Sequence, residues 1–346
     1  MTVRSSSITF INAGTSYYAR EISQRSKTNF QRCSREVLGI INDADLRSRV
    51  FSRTATVTLL AGAGTRWVDS LSGKELPQGY SPDMPRCAYP VEDITHPGKT
   101  IPLGAYNLRA LKDLGKHFIV WGSHKGSIEN IALQADIEDA VFVEQSKKGF
   151  LKPLGHGDAM AQVIPHLGPE IDFVIANFGG DANSRETILT SLLVLAAMQE
   201  AEEKLRPWGI LPTTLVPGAK YPIGLDGNGF PVSFGHQKLK GGVHPSGAMP
   251  TNVGVRLYSR RALADSIDHF NLPEFFDPGS GYIIPGNTAN EFALDNVDAH
   301  MSANEQGISR QRFRILNVAT VEETAAVKGV DNVDAFLAAQ KIILGL

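Results

Sequence analysis

Two cysteines, Cys33 and Cys87, are all that the 346 residues contain. That is too few for a disulfide framework, and they lack the paired spacing of a structural zinc site, so free thiols in a reducing compartment are expected. Long apolar runs are missing as well. No segment approaches the roughly 18 apolar residues of a membrane span, and the N-terminus "MTVRSSSITFINAGTSYYAR" holds no apolar stretch of signal-peptide length. A cytoplasmic protein with no membrane partner is the expectation. A strong charge of one sign is absent too: the net charge of -2 gives no general attraction to nucleic acid or anionic lipid. The basic residues show none of the aromatic interleaving of a single-strand platform, so no nucleic-acid partner is expected. The nine histidines form no H-E-x-x-H or Cys/His cluster, and no G-x-S-x-G elbow occurs, which sets aside zinc-peptidase and serine-hydrolase chemistry.

What is present is a globular composition, 42% hydrophobic and 20% charged, in a chain long enough for one enlarged α/β domain. Residues 1–53 stand apart, with nine Lys/Arg against four Asp/Glu. They read as an N-terminal helical extension, either solvated or laid as an arm on an anionic ligand or a neighbouring subunit, which leaves room for a homo-oligomer. From residue 54 on, short β-rich runs ("ATVTLLAG", "HFIVWG", "AVFVEQ", "DFVIANFGG") alternate with helically spaced segments ("IPLGAYNLRALKDLG", "SRETILTSLLVLAAMQEAEEKL"). This is the pattern of βαβ units around a mostly parallel sheet whose strands are buried on both faces. The texture changes near residue 206. Shorter strands and turns follow, including the hairpin signals Asp226-Gly227 and Asn228-Gly229, as a smaller mixed-sheet lobe would require. Thr288-x-x-Glu291 reads as a capping box opening a helix over "NEFALDNVDAHMSANEQG", and "NVDAFLAAQKIILGL" as a closing helix.

The stretch "LLAGAGTRW" carries the first chemical signal. Gly62 and Gly64 follow a predicted strand and would let the backbone turn and offer its N–H groups to an anion. A dinucleotide loop would have its third glycine where Trp67 stands. A P-loop reading fails at Gly98-Lys99-Thr100, because Asp93 occupies the opening glycine position. A loop of amides with a cation, Arg66, added to it suits a triphosphate.

"LLAGAGTRW" resembles the L-x-(A/G)-G-x-G-T-R signature of the sugar-1-phosphate nucleotidyltransferases, which make nucleotide sugars, and the likeness continues in order along the chain. "MPRCAYPVEDITHPGKTIPLGAYNLRALKDLG" is similar to the family's Pro-Lys segment and the helix after it. "KPLGHGDAM" is similar to its nucleobase loop in the form found in UDP-glucose pyrophosphorylases. "NFGGDANS" stands where the family has Gly-Asp at a strand end, "PTNVGVRLY" resembles its sugar-side Asn-x-Gly strand, and "ATVEETAAVKGVDNVDAFLAAQKII" looks like the close of bacterial N-acetylglucosamine-1-phosphate uridylyltransferases. The resemblance covers residues 55–345. It implies a Rossmann-like α/β core with a nucleotide half over about 54–205 and a sugar-binding half over about 206–346.

It also implies a reaction and its residues. A sugar-1-phosphate and a nucleoside triphosphate, UTP by preference, would give a nucleotide sugar and pyrophosphate, with charge neutralised by Mg²⁺ and arginine. Leu60, Ala61, Gly62, Ala63, Gly64 and Thr65 would line the triphosphate and Arg66 would brace its β- and γ-phosphates. Arg86 falls where the family has a lysine; it keeps the charge on a wider planar head, and Lys74 is the reserve. Gly155, His156, Gly157 and Asp158 would line the base and ribose, with His156 outside the catalysis because a phosphate nucleophile is already an anion. Asp181 would be one Mg²⁺ ligand, and Asp331 either the second or the N-cap of the last helix. Asn252 and Gly254 would meet the sugar, or Asn252 would pair with backbone. The acid that many relatives place in the preceding strand is replaced by Gly235-His236. Two other readings stay open: a cytidylyltransferase acting on a non-sugar phosphate, and a nucleotide-sensing protein that kept the fold and lost turnover.

Overall fold

The computed structural model describes residues 39, 42–61, 71, 73, 76, 78–93, 96, 98–145, 149–150, 153–180, 185–199, 207–217, 222–225, 231–234, 248–284, 290–302 and 313–317. A short helix, α1 (Ala44–Ser52), opens this part of the chain, with the Asp43 carboxylate accepting from the N–H groups of Asp45 and Leu46. It leads into β1 (Thr54–Leu59), whose residues are nearly all buried.

Strand β1 runs parallel to two neighbours, β4 (Lys116–Trp121) and β6 (Phe173–Phe178), and β4 is parallel in turn to β5 (Val141–Glu144). These are the four apolar runs expected from the sequence. The two central strands, β1 and β6, are covered on both faces, which is why they read as continuously apolar rather than alternating, while β5 at the edge is only partly buried. The connections are helical: α2 (Leu103–Leu111), α3 (Lys125–Gln134), α4 (His156–Val163) and α5 (Arg185–Gln199). Two short antiparallel strands, β2 (Pro90–Glu92) and β3 (Thr100–Pro102), precede α2. After α2 the chain turns at Gly115, with φ +81, where any Cβ would overlap the carbonyl of Thr54; β4 can therefore start hard against β1.

The second half adds antiparallel strands to the same sheet. Strand β11 (Val255–Ser259) pairs with β6, and β7 (Gly209–Pro217) pairs with both β11 and β10 (Ala248–Asn252). The order is β10-β7-β11-β6-β1-β4-β5, with β14 (Phe313–Asn317) parallel on β7. The expected hairpin is seen as β8 (Gly224–Leu225) against β9 (Pro231–Ser233), and a smaller ribbon joins β12 (Phe276–Asp277) to β13 (Gly281–Tyr282). One face of the sheet buries Val57, Phe118, Val174, Ala176 and Tyr258 with side chains of α4, α6 (Arg260–Phe270) and α7 (Leu294–Ser302). The other buries Ile175, Val255 and Leu257 against Leu192 and Leu195 of α5. Among the described residues no helix is long and apolar enough to cross a membrane.

One expectation needs correcting. The sequence predicts a helix from residue 290, whereas α7 begins at Leu294. The reason is local: the Phe292 N–H donates to the Leu154 carbonyl at 2.7 Å and the Leu294 N–H to His156 Nδ1 at 2.8 Å. The backbone ahead of α7 is thus tied to the loop before α4. Thr288 of the predicted capping box, residues 1–38 of the N-terminal extension and the closing helix lie outside the described residues.

Candidate active site

In an open α/β sheet, ligands meet the carboxyl ends of the strands at the point where the strand order changes direction. Here that point is between β1 and β6, since the chain runs outward from β1 to β4 and β5 on one side and to β6 and β11 on the other. Four of the predicted segments converge on it.

The first is the start of the loop after β1. Leu60 and Ala61 are buried, the Leu60 N–H donates to the Val120 carbonyl at 2.9 Å, and Ala61 packs against Gly122 at the end of β4. Gly62, Ala63, Gly64, Thr65 and Arg66 lie outside the described residues, as does Lys74.

The second is the Gly179-Gly180 turn at the end of β6. A Cβ on Gly179 would overlap the Leu60 side chain, and one on Gly180 would overlap the Arg86 guanidinium. Arg86 opens a single 3₁₀ turn, Arg86–Ala88, between Pro85 and β2. The planar head of this arginine therefore occupies the space where a side chain on Gly180 would stand, and Gly180 immediately precedes Asp181. Cys87 beside it is buried under Gly104 of α2, and burial pushes its thiol up to about 12. Asp181 and Asp331, the residues expected to hold Mg²⁺, lie outside the described residues. Among the described residues no group of three or more His, Cys, Asp or Glu side chains is placed to hold a metal ion.

The third is the strand that contains Asn252 and Gly254. Asn252 faces Thr213 and Leu257 faces Ile210, so five steps along β10 and β11 match three along β7. The two extra residues form a bulge. Gly254 takes φ +81 there, its N–H donates to Asn252 Oδ1 at 2.6 Å, and its carbonyl accepts from the Phe178 N–H at 3.1 Å. The Asn-x-Gly pattern thus builds the bulge, with Asn252 paired to backbone, and sets it beside the end of β6.

The fourth is the loop Gly155–Asp158 at the start of α4. Gly155 has φ +99, and a Cβ on it would come within 2.5 Å of the Phe292 carbonyl. A Cβ on Gly157 would come within 2.8 Å of the Phe292 ring. The close approach that these glycines permit is that of Phe292. His156 stands edge-on to Phe178, with ring centroids 5.0 Å apart, which links this loop to the end of β6. Its Nδ1 accepts from Leu294, so the neutral ring carries its proton on Nε2. Asp158 is fully buried: one carboxylate oxygen accepts from Gln145 at 3.2 Å and the other from the Tyr282 hydroxyl at 3.2 Å. Burial and the nearby Asp158 charge raise the Tyr282 phenol above its ordinary range. The Gln145 amide also donates to the Gly155 carbonyl at 2.8 Å, which fixes the loop to the end of β5.

Several residues in this region went unread in the sequence. Asn107 on α2, fully buried, donates from Nδ2 to the Gly179 carbonyl at 2.9 Å. Arg256 of β11 is 2% exposed and lies over the Phe178 ring, 5.1 Å from its centroid. It donates from Nε to Asp298 at 2.7 Å and from Nη2 to Asp295, both on α7, and Asp298 also accepts from the Tyr258 hydroxyl at 2.7 Å. Burial pushes the Asp298 carboxyl up to about 6 while Arg256 pulls against it. Burial alone would lower the Arg256 pKa, but the two carboxylates outweigh it and raise it. The signals were there: a lone arginine in the apolar strand "VRLYS", and acids three apart in "LDNVDAH", which fall on one face of a helix.

No family model matches the sequence. No curated protein matches it either. Solved structures do. One described as a UDP-N-acetylglucosamine pyrophosphorylase from Entamoeba histolytica aligns over 90% of this chain and 80% of its own, at a TM-score of 0.51 and 10% identity. The inositol-1-phosphate CTP transferase of T. maritima aligns over 86% of this chain and 98% of its own, at 0.49 and 15%. HddC from Yersinia pseudotuberculosis aligns over 75% and 88%, at 0.43 and 13%. At such identities the likeness is one of architecture, and the first of these alignments with the strand order above gives the chain a Rossmann-like nucleotidyltransferase fold.

Proposed function

We propose that the chain is a sugar-1-phosphate nucleotidyltransferase with UTP as its donor. The observation that carries this reading is the Arg86 guanidinium lying on Gly180 at the carboxyl end of β6, with Asp181 next in the chain and the start of the Leu60–Arg66 loop alongside. A cation held there supports the reading, because it would meet the triphosphate that this loop would cradle. A phosphate oxygen of the sugar-1-phosphate attacks the α-phosphorus, the bond to the β-phosphate breaks, and pyrophosphate leaves with that electron pair. No general base is needed. Arg66 and Arg86 offset the charge that builds on the leaving group, the step where such phosphoryl chemistry gains most. Asp181 and Asp331 are hard oxygen donors suited to Mg²⁺, which would add to that neutralisation when bound. Asn252 and Gly254 bring the sugar-side bulge to the same strand ends, and the uridylyl preference rests on the resemblance of the Gly155–Asp158 loop.

Pyrophosphate release from UTP, CTP, ATP and GTP with a panel of sugar-1-phosphates and alcohol phosphates tests the reading. Release with UTP and a sugar-1-phosphate is expected. Release with CTP and a phosphorylated alcohol would move the chain to the cytidylyltransferases, and nucleotide binding without release from any pair would make it a sensor.

A further inference from the structure

The pair Gly179-Gly180 is held from both sides, and only one of the two holders, Arg86, is visible in the sequence pattern. On the inner side, Gly179 continues the sheet beyond β6, its N–H donating to the Leu59 carbonyl at 3.3 Å. Its own carbonyl is taken by Asn107, a fully buried amide reaching 72 positions along the chain from α2. The N–H bond fixes the Phe178-Gly179 peptide in the sheet, and the bond from Asn107 to the Gly179 carbonyl sets the orientation of the next one, the Gly179-Gly180 peptide. At the far end of that peptide, the Arg86 guanidinium fills the space in which a side chain on Gly180 would stand.

An amide is an unusual group to bury on the sheet-facing side of a helix whose other buried residues are Leu103, Gly104, Ala105, Leu108 and Leu111. A leucine has the same branched shape and suits such a stripe better. The amide supplies what a leucine cannot, a donor to the Gly179 carbonyl. We propose that Asn107 is a positioning residue of the site: it sets the Gly179-Gly180 peptide and, through it, the direction in which Arg86 presents its charge to a phosphate-bearing ligand. This rests on the nucleotidyltransferase reading for the identity of the ligand, but not for the geometry.

The test is a double-mutant cycle of Asn107→Leu and Arg86→Ala, read by UTP affinity in calorimetry, by thermal midpoint, and by the rate at which phenylglyoxal modifies Arg86, followed by peptide mass spectrometry. Asn107→Leu is expected to weaken UTP binding about tenfold in the native background and hardly at all when Arg86 is already alanine, a coupling of about 1.4 kcal/mol. It is also expected to change the rate of Arg86 modification. Equal losses of affinity in both backgrounds, with unchanged Arg86 reactivity, would overturn the proposal and leave Asn107 a packing residue. If the native chain binds no triphosphate, the functional reading fails, and the modification rate alone decides the positioning role. Should Asn107→Leu not fold, Asn107→Ser, smaller and still a donor, takes its place, with partial retention of affinity and reactivity expected and full retention of neither.

Discussion

Replacing Gly157 by alanine separates two explanations of the Gly155–Asp158 loop, that its glycines admit a nucleobase or that they admit Phe292. The added Cβ would sit 2.8 and 2.9 Å from two ring carbons of Phe292 and 2.9 Å from its carbonyl oxygen. The ring cannot retreat easily, because it is fully buried between Phe270 and Tyr282, with centroids 4.9 and 5.0 Å away. Overpacking of this kind costs roughly 1–3 kcal/mol, offset by at most about 1 kcal/mol from the better helix propensity of alanine near the start of α4. A net loss of about 1–2 kcal/mol is therefore expected, measured as a lower denaturation midpoint in the absence of any ligand. In a Phe292→Ala background the two ring contacts vanish and only the 2.9 Å approach to the backbone carbonyl is left, so the same substitution should cost clearly less there. Equal cost in both backgrounds would refute the packing argument. A cost seen only in nucleotide affinity, with unchanged stability, would return these glycines to the base.

Gly180→Ala must push the Arg86 guanidinium aside, since a side-chain end gives way more easily than backbone. Turnover is expected to fall by about 10²-fold from a displacement on the order of 1 Å, while the thermal midpoint stays close to that of the native chain. Asp298 gives a pH signature. Its carboxyl is raised from 3.8 to about 6 in the folded chain, so the folded state holds the extra proton and the stability this group contributes is full below about pH 4 and lost as pH rises through about 6. The unfolding free energy of the native chain minus that of Asp298→Asn should then decrease between pH 4 and pH 7; an increase would mean that Arg256 dominates the site. Asp298→Ala at neutral pH, which leaves Arg256 buried with Asp295 as its remaining carboxylate, should cost about 3–5 kcal/mol in chemical denaturation.

The parallel half of the sheet was legible because its physics is local to the sequence. A strand buried on both faces must be apolar throughout, as "ATVTLL" and "DFVIANF" are, and the second ends in Gly179-Gly180, where Leu60 and Arg86 leave no room for a side chain. The start of α7 was not legible, because the backbone of Phe292 and Leu294 is claimed by Leu154 and His156, more than 130 positions earlier in the chain. Of the two readings of Asn252, a sugar contact or a pairing with backbone, the second is seen, in a bulge whose existence depends on register with β7 and so could not be read from the sequence. Asn107 and Arg256 show the same limit from the other side. A polar residue in an apolar stripe announces that it has a partner, but the partners, Gly179 in one case and Asp295 with Asp298 in the other, are set by the tertiary fold.

On the proposed function, the strand ends around Gly180 handle a triphosphate and Arg86 is the cation that meets it. The most direct test is pyrophosphate release at saturating UTP and sugar-1-phosphate by Arg86→Ala beside the native chain, with the thermal midpoint of each recorded. A rate lower by about 10²–10³, the loss usual for a charge-stabilising donor, at an unchanged midpoint is the predicted result. Equal rates from the two chains would mean that Arg86 does not act on the triphosphate.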